Sequence, residues 1–367
     1  MRVGLDVTSL LDRRTGVGAF TSELLTRIAP RDDVDVIGYS VSWRGRNELR
    51  ADGLPAGTAI ATRPMAAQPL RQLWRRVNWP PINWWTGKID VVHGPNFVVP
   101  PARGAAELMT IHDLTFIRYP ELCTRDTLQY PNLIRRALRR GAHVHAVSDF
   151  VAEEVVDVFD VARDRVHVVA NGVDVREAGD PARGHQLAGG DRYVLALGTI
   201  EPRKDFPVLV DAFDDVASSD ADLRLVVAGQ DGWGVDAFEA ALARAAHRDR
   251  VVRPGFVTDE QRADLLAGAA VFVFPSRYEG FGLPPLEAMA AGTAVVASRA
   301  GALPEVLGDA AAFVQPGDRD ALAATLADLL ENTAERHTLI ERGRARVARY
   351  SWDACAEGVV RVYEYLC

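Results

Sequence analysis

At 367 residues the chain exceeds one ordinary core and suits two domains of about 150–200 residues each. Apolar residues at 48% and charged residues at 25% are the globular norm, and a net charge of −8 gives no general reason to bind nucleic acid. Cys123, Cys355 and Cys367 are scattered without metal-ligand spacing, so they read as reduced cytoplasmic thiols.

Val3 to Val7 reads as a first strand and not as a signal peptide, because Asp6 interrupts its apolar run. A glycine turn at Gly16-Val17-Gly18 follows, then a helix over Phe20 to Ile28 and a strand over Val34 to Tyr39. Further strands are expected at Val91 to His93, Leu108 to Ile111 and Val144 to Val147, with helices at Leu128 to Arg139 and Phe150 to Phe159. Short apolar strands alternating with helices indicate a parallel sheet covered on both faces. Arg71 to Trp85 mixes three arginines with Trp74, Trp79, Trp84 and Trp85. It reads first as a proline-broken helix with its tryptophans in the core, and second as a surface for anionic lipid.

The alternation stops after Val175, and residues 176–191 are expected to be a linker because they lack apolar periodicity. It restarts with strands at Tyr193 to Leu197, Leu223 to Ala228, Val251-Val252, Val271 to Phe274 and Ala294 to Ala297. Between and after them the expected helices are Phe206 to Val216, Ala237 to Ala246, Asp259 to Ala267, Leu286 to Ala291, Ala321 to Glu331 and Trp352 to Tyr365. The fold class is therefore α/β: two Rossmann-like domains, 1–175 and 192–351, facing across a cleft, with 352–367 expected to cross back onto the first. No apolar run approaches the ~20 residues that span a bilayer.

The most informative stretch runs from Ser276 to Glu287. A buried strand enters a loop with Gly280 and Gly282, and a helix is expected to begin near Pro284. The free N–H groups of the helix start, with the positive end of the helix dipole, suit a diphosphate. Glu279 and Glu287 flank that anion site as acceptors for vicinal hydroxyls, one on a sugar ring and one on a ribose. The cations this arrangement needs are Arg203 and Lys204, in the loop from Gly198 through Thr199 to Asp205. Only two lysines occur in the chain, Lys88 and Lys204. The Asp33/Asp35 and Asp318/Asp320 pairs stand at a strand start and in a loop, and no metal cofactor is expected.

Glu279 and Glu287, with seven residues between them around a Gly-Phe-Gly core, resemble the Glu-x7-Glu motif of the family 4 retaining glycosyltransferases. The stretch Gly198 to Lys204 resembles that family's diphosphate loop, and Asn171 to Asp174 its interdomain region. Gly16-Val17-Gly18, His112-Asp113, Val147-Ser148 and Gly255-Phe256-Val257 follow in the family's order, and the branch resembled is that of bacterial mannosyl- and deoxyhexosyltransferases. The resemblance implies the GT-B fold and transfer of a hexose, mannose first, from a nucleotide-diphosphate sugar to a saccharide or lipid-linked saccharide. It implies that Glu279, Arg203, Lys204 and His112 serve the reacting sugar and leaving diphosphate. Gly16, Gly18, Thr199, Val257, Phe281, Gly282, Leu283 and Glu287 would line the nucleotide-sugar site. Where many members carry an arginine soon after the diphosphate-loop glycine, this chain has Thr199, and Arg203 is expected to compensate. A cytoplasmic enzyme follows, with a peripheral position at the inner face of the membrane if Arg71 to Trp85 touches lipid.

Three rival readings remain at this level. Gly16-Val17-Gly18 with Asp35 about 20 residues on suggests an NAD-dependent oxidoreductase, but Phe20 and Thr21 stand where a third small residue belongs. A sugar-binding scaffold with a decayed site is opposed by the intact set of Glu279, Glu287, Arg203 and Lys204. A GT-B nucleotide-sugar epimerase or phosphorylase differs only in its products.

Overall fold

A computed structural model gives the fold; it describes every residue except 12–15, 43–53, 56, 62–64 and 175–178. Two compact units divide the chain: Met1–Gly172 with Trp352–Cys367, and Val173–Ser351.

The first unit carries seven parallel strands: β1 (Arg2–Asp6), β2 (Asp35–Tyr39), β3 (Thr58–Ile60), β4 (Val91–Gly94), β5 (Ala106–Ile111), β6 (His143–Ala146) and β7 (Val166–Val168). Their spatial order is β3-β2-β1-β4-β5-β6-β7. The second carries β8 (Tyr193–Leu197), β9 (Arg224–Ala228), β10 (Val251–Gly255), β11 (Val271–Phe274), β12 (Val295–Ser298) and β13 (Ala311–Val314). These are also parallel, in the order β10-β9-β8-β11-β12-β13. Order reverses between β1 and β4 in one sheet and between β8 and β11 in the other. Such switch points open crevices at the carboxyl ends of the strands, where ligands of doubly wound sheets bind.

Central strands β8 and β11 are buried along their whole length, as continuous apolar runs require when helices cover both faces. On one face Phe206, Leu209 and Phe213 of the helix Phe206–Ala217 fill the core with Phe238 and Leu326. In the first unit the C-terminal helix Trp352–Leu366 packs on the helix Gly16–Ile28. Arg27 Nε donates to Asp353 Oδ1 at 2.6 Å, and Tyr363 is fully buried.

Three sequence expectations need correction. Gly16-Val17-Gly18 is not a turn but the first turn of the helix Gly16–Ile28. Part of the expected linker, 176–178, lies outside the described residues; the remainder holds a helix, Pro181–Ala188, within the second unit. Asp180 caps it by accepting from the Ala182 N–H, Pro181 opens it, and Gly189 closes it in the left-handed region. It packs on the helix Asp259–Gly268 through backbone proximity, since a Cβ on Gly184 would fall 2.2 Å from the Asp264 carbonyl oxygen. A helix that docks through glycine shows no apolar stripe. The third correction concerns Arg71 to Trp85, where only Trp74 is in the core; Trp85 is half-buried, while Trp79 and Trp84 are exposed.

Candidate nucleotide-sugar site

Strand β8 ends at Leu197, and the chain turns through Gly198, Thr199 and Ile200 into a single helical turn at Pro202–Lys204. Strand β11 ends in Phe274 and leads through Ser276–Gly282 into the helix Leu283–Ala290. The two loops leave neighbouring strands at the switch point, and their side chains meet. Lys204 Nζ lies 2.7 Å from Glu279 Oε1, and Arg203 Nη1 lies 2.6 Å from Glu279 Oε2. Arg203 also donates to the Tyr278 carbonyl at 3.0 Å and to Glu201 Oε1 at 2.6 Å. The Arg277 N–H donates to the Arg203 carbonyl at 2.8 Å, tying backbone to backbone.

All four charges of this cluster, Glu201 included, are largely withdrawn from water, with Lys204 and Glu279 each 8% exposed. Burial opposes ionisation of Glu279, but Arg203 and Lys204 outweigh it and hold the carboxyl at about 2. Burial pulls the Lys204 ammonium below its usual value, against the attraction of Glu279. Its Nζ also stands 4.3 Å from the Phe274 ring centroid, a cation–π contact. Two cations, Arg203 and Lys204, stand against two largely buried carboxylates, Glu279 and Glu201, so the cluster is balanced in charge and its cations keep N–H donors to spare.

Backbone geometry fixes the carboxylate from behind. The loop after β12 brings Gly301 against residue 279: the Ala302 N–H donates to the Glu279 carbonyl at 2.8 Å, and a Cβ on Gly301 would lie 2.1 Å from that oxygen. Gly282 opens the Leu283 helix with φ +101°, a conformation that L side chains resist. Pro284 and Pro285 fill the first helical turn and offer no N–H, so Leu283 is the main donor of that turn. Phe281 is buried against Tyr350, at 5.6 Å between ring centroids. Glu287 is half-buried on the same helix and forms an ion pair with Arg262, on the helix Asp259–Gly268. Val257 and Thr199 are half-buried in loops at the carboxyl ends of β10 and β8.

Arg262 and Gly301 were not singled out in the sequence, nor was Trp233, which is exposed with Phe256 after β9 and β10. The string Gly301-Ala302-Leu303-Pro304 after a buried strand was the available signal for the first loop. For Arg262 there was none, since its partner is 25 residues away on another helix.

His112, Gly16 and Gly18 belong to the first unit. His112 follows β5 and its Nε2 donates to the Pro95 carbonyl at 2.7 Å, which leaves Nδ1 as the acceptor nitrogen. Phe20 and Phe97 meet its ring edge-on, at 5.4 and 5.8 Å, and burial lowers its pKa. The imidazole is therefore neutral near pH 7. Asp113 caps the next turn by accepting from the Thr115 N–H at 2.9 Å. Gly16 is exposed and Gly18 buried.

The acid pairs have other partners: Asp33 binds Arg31, Asp35 binds Arg2, and Asp318 caps the helix Arg319–Glu331. Among the described residues no three His, Cys, Asp or Glu side chains group as metal ligands.

Comparison with known proteins decides the family. The model described as Glycosyltransferase Family 4 matches residues 14–177, and that described as Glycosyl transferases group 1 matches residues 182–346. The O-antigen chain mannosyltransferase B of Escherichia coli is 30% identical over 96% of each chain. The chain is a family 4 glycosyltransferase.

The phosphatidyl-myo-inositol mannosyltransferase of Mycobacterium tuberculosis is 37% identical over 53% of each chain. Among solved structures, WaaG, a glycosyltransferase involved in lipopolysaccharide biosynthesis, superposes with a TM-score of 0.77 at 16% identity over 99% of both chains. Anabaena HepE, solved with UDP and glucose, gives 0.76 at 17% identity over the full length of both. The solved structures establish the GT-B fold, the family models and the Escherichia coli relative establish a glycosyltransferase, and none of them favours the oxidoreductase reading.

Proposed function

We propose that this glycosyltransferase moves mannose, with retention, from GDP-mannose to a saccharide or lipid-linked saccharide. The observation that carries the donor side is the contact of Lys204 and Arg203 with Glu279 at the switch point. Mannose is supported by the names of the relatives in Escherichia coli and Mycobacterium tuberculosis.

The roles follow from donor and acceptor capacity. Lys204 has three N–H donors and Arg203 five, so each retains capacity for diphosphate oxygens beyond its bond to Glu279. Each Glu279 oxygen keeps a lone pair for a sugar hydroxyl, and Glu287 accepts from the ribose. Thr199, Val257 and the N–H groups of Phe281, Gly282 and Leu283 complete the donor site, with no metal required. His112 contributes its Nδ1 lone pair to a hydroxyl of the transferred sugar, and Gly16 and Gly18 line the first unit's side.

In the reaction the bond from the anomeric carbon to the diphosphate oxygen breaks, and its electron pair stays on the diphosphate. The acceptor hydroxyl forms the new C–O bond on the same face, and its proton passes to the departing phosphate oxygen. Fixed cations at the leaving group supply roughly 3 kcal/mol per donor. Thermal-shift screening against a panel of nucleotide sugars tests this reading. GDP-mannose is expected to raise Tm, and Lys204→Ala and Glu287→Ala to abolish the rise. A shift by NAD and by no nucleotide sugar would overturn it, and an inverted linkage in the product would remove the retaining step.

The names and titles of relatives also place such enzymes in lipopolysaccharide and O-antigen synthesis, which supports a cytoplasmic enzyme working beside a membrane. Among the described residues, no helix is long and apolar enough to cross one.

A further inference from the structure

Four of the seven exposed large apolar side chains among the described residues fall within or beside one segment of the first unit: Val77, Trp79, Trp84 and Leu128. Trp79 and Trp84 are each 50% exposed, and their rings meet edge-on at 5.0 Å. The segment beneath them is held firmly. Trp74 is buried with its indole N–H donated to the Pro80 carbonyl at 3.0 Å, and the Ile82 N–H donates to the Pro101 carbonyl at 2.9 Å. The Arg75 guanidinium reaches Gln129 at 3.0 Å, which brings Leu128 beside it.

Charge on this segment runs against that of the whole molecule. The net charge is −8, yet no Asp or Glu occurs between Asp52 and Asp90. Arg75, Arg76 and Lys88 are exposed along it, and exposed Arg103 joins them, its N–H donated to Asn83 Oδ1 at 2.7 Å. The nearest following acids are engaged elsewhere: Asp90 accepts the Arg2 N–H at 2.8 Å, and Glu107 pairs with Arg140 at 2.7 Å. Asp126, exposed near Leu128, stands next to exposed Arg125.

We propose that residues 75–88, with Leu128 and Arg103, form a docking surface for an anionic lipid bilayer. Tryptophan prefers the headgroup depth of a bilayer, where its ring is half-desolvated and its N–H stays wet. Basic side chains around it are drawn to anionic lipid. A second copy of this chain is a poorer occupant, because a two-fold interface would set these cations against themselves. The surface is narrower than the stretch of tryptophans and arginines in the sequence, since Trp74 is in the core and Arg71 is half-buried.

The test is co-sedimentation of the full chain with vesicles of phosphatidylcholine alone and with a quarter phosphatidylglycerol. Binding is expected to the anionic vesicles, to weaken as salt rises, and to fall roughly fivefold for each arginine removed in Arg75→Gln and Arg76→Gln. Trp79→Ser with Trp84→Ser is expected to lower binding on both compositions. Both double variants are expected to keep the wild-type Tm and its shift by nucleotide sugar, which separates this surface from the donor site. Equal binding by wild type and variants would overturn the proposal. So would an absence of binding to anionic vesicles at low salt, or a loss of self-association in the variants without any change in lipid binding.

Discussion

Removing the Glu279 carboxylate would leave Lys204 and Arg203 as neighbouring cations with Glu201 as their one remaining carboxylate, in a site that is nearly closed to water. Breaking one side of a buried pair costs more than the pair itself contributes. Glu279→Ala is therefore expected to destabilise the second unit by about 3 kcal/mol in urea titration, and to cut transfer by roughly 10²-fold or more. Because the Glu279 carboxyl is held at about 2, the pairing is present above the ordinary carboxylate range and is lost only as pH falls toward 2. Unchanged stability in Glu279→Ala would show that the cations find other partners. Gly301 makes the same point through the backbone. With φ +56° and the Glu279 carbonyl in the place of its missing Cβ, Gly301→Ala is expected to cost about 2 kcal/mol. Its transfer rate should fall with its stability, since residue 279 must move to admit the methyl group.

Where elements meet, the tether of Glu287 to Arg262 links the Leu283–Ala290 helix to the Asp259–Gly268 helix, which follows the Val257 loop. If Glu287 holds the ribose, Arg262→Ala should loosen ground-state binding: KM for the donor rises roughly tenfold while kcat stays within about threefold. An equal fall in kcat and kcat/KM would place Arg262 in the transition state instead. A second linkage runs through the first unit. The Tyr363 hydroxyl donates to His93 Nδ1 at 2.7 Å, His93 Nε2 to Thr110 at 2.8 Å, Thr110 to His145 Nδ1 at 3.0 Å, and His145 Nε2 to the Val169 carbonyl at 2.8 Å. This direction of donation satisfies every member only while both imidazoles are neutral. Burial lowers both pKa values, that of His145 to about 4. The unfolded chain binds the proton first, so the stability is complete above about 6.5 and is lost as pH falls from there to about 4. For His145 alone the loss is roughly 3 kcal/mol. Urea titrations between pH 7.5 and 4 should show it, and a flat profile would mean that the network opens to water.

Across the whole molecule, the central strands and the loops that follow β8 and β11 were legible because their signals are local. A buried apolar run ending in glycine, followed by proline and a helix, is the same object in sequence and in space at β11 and the Leu283 helix. The edges were not. Strands β3, β7 and β13 have three or four residues each, too few for a periodicity, and an edge strand needs less apolar surface than a central one. The helix Thr333–Val347 buries only Leu339, Gly343 and Val347, a stripe too narrow to stand out among its charges. Long-range pairs such as Arg262 with Glu287 and His93 with Tyr363 are fixed by topology and leave no spacing to read.

That topology also yields the last expectation. The loops from Gly198, Gly255, Ser276 and Gly301, with the side chains proposed for the donor site, all lie in Val173–Ser351. The unit has its own sheet and its own core around Phe206, Phe213 and Phe238. Expressed alone, Val173–Ser351 should bind GDP within about tenfold of the full chain, since a 1.4 kcal/mol loss is all that tenfold represents. It should transfer no sugar, because His112 and the first unit's loops are missing. Titration calorimetry on the two proteins measures the difference. A folded fragment that binds no nucleotide would place a major share of the nucleotide's contacts in Met1–Gly172.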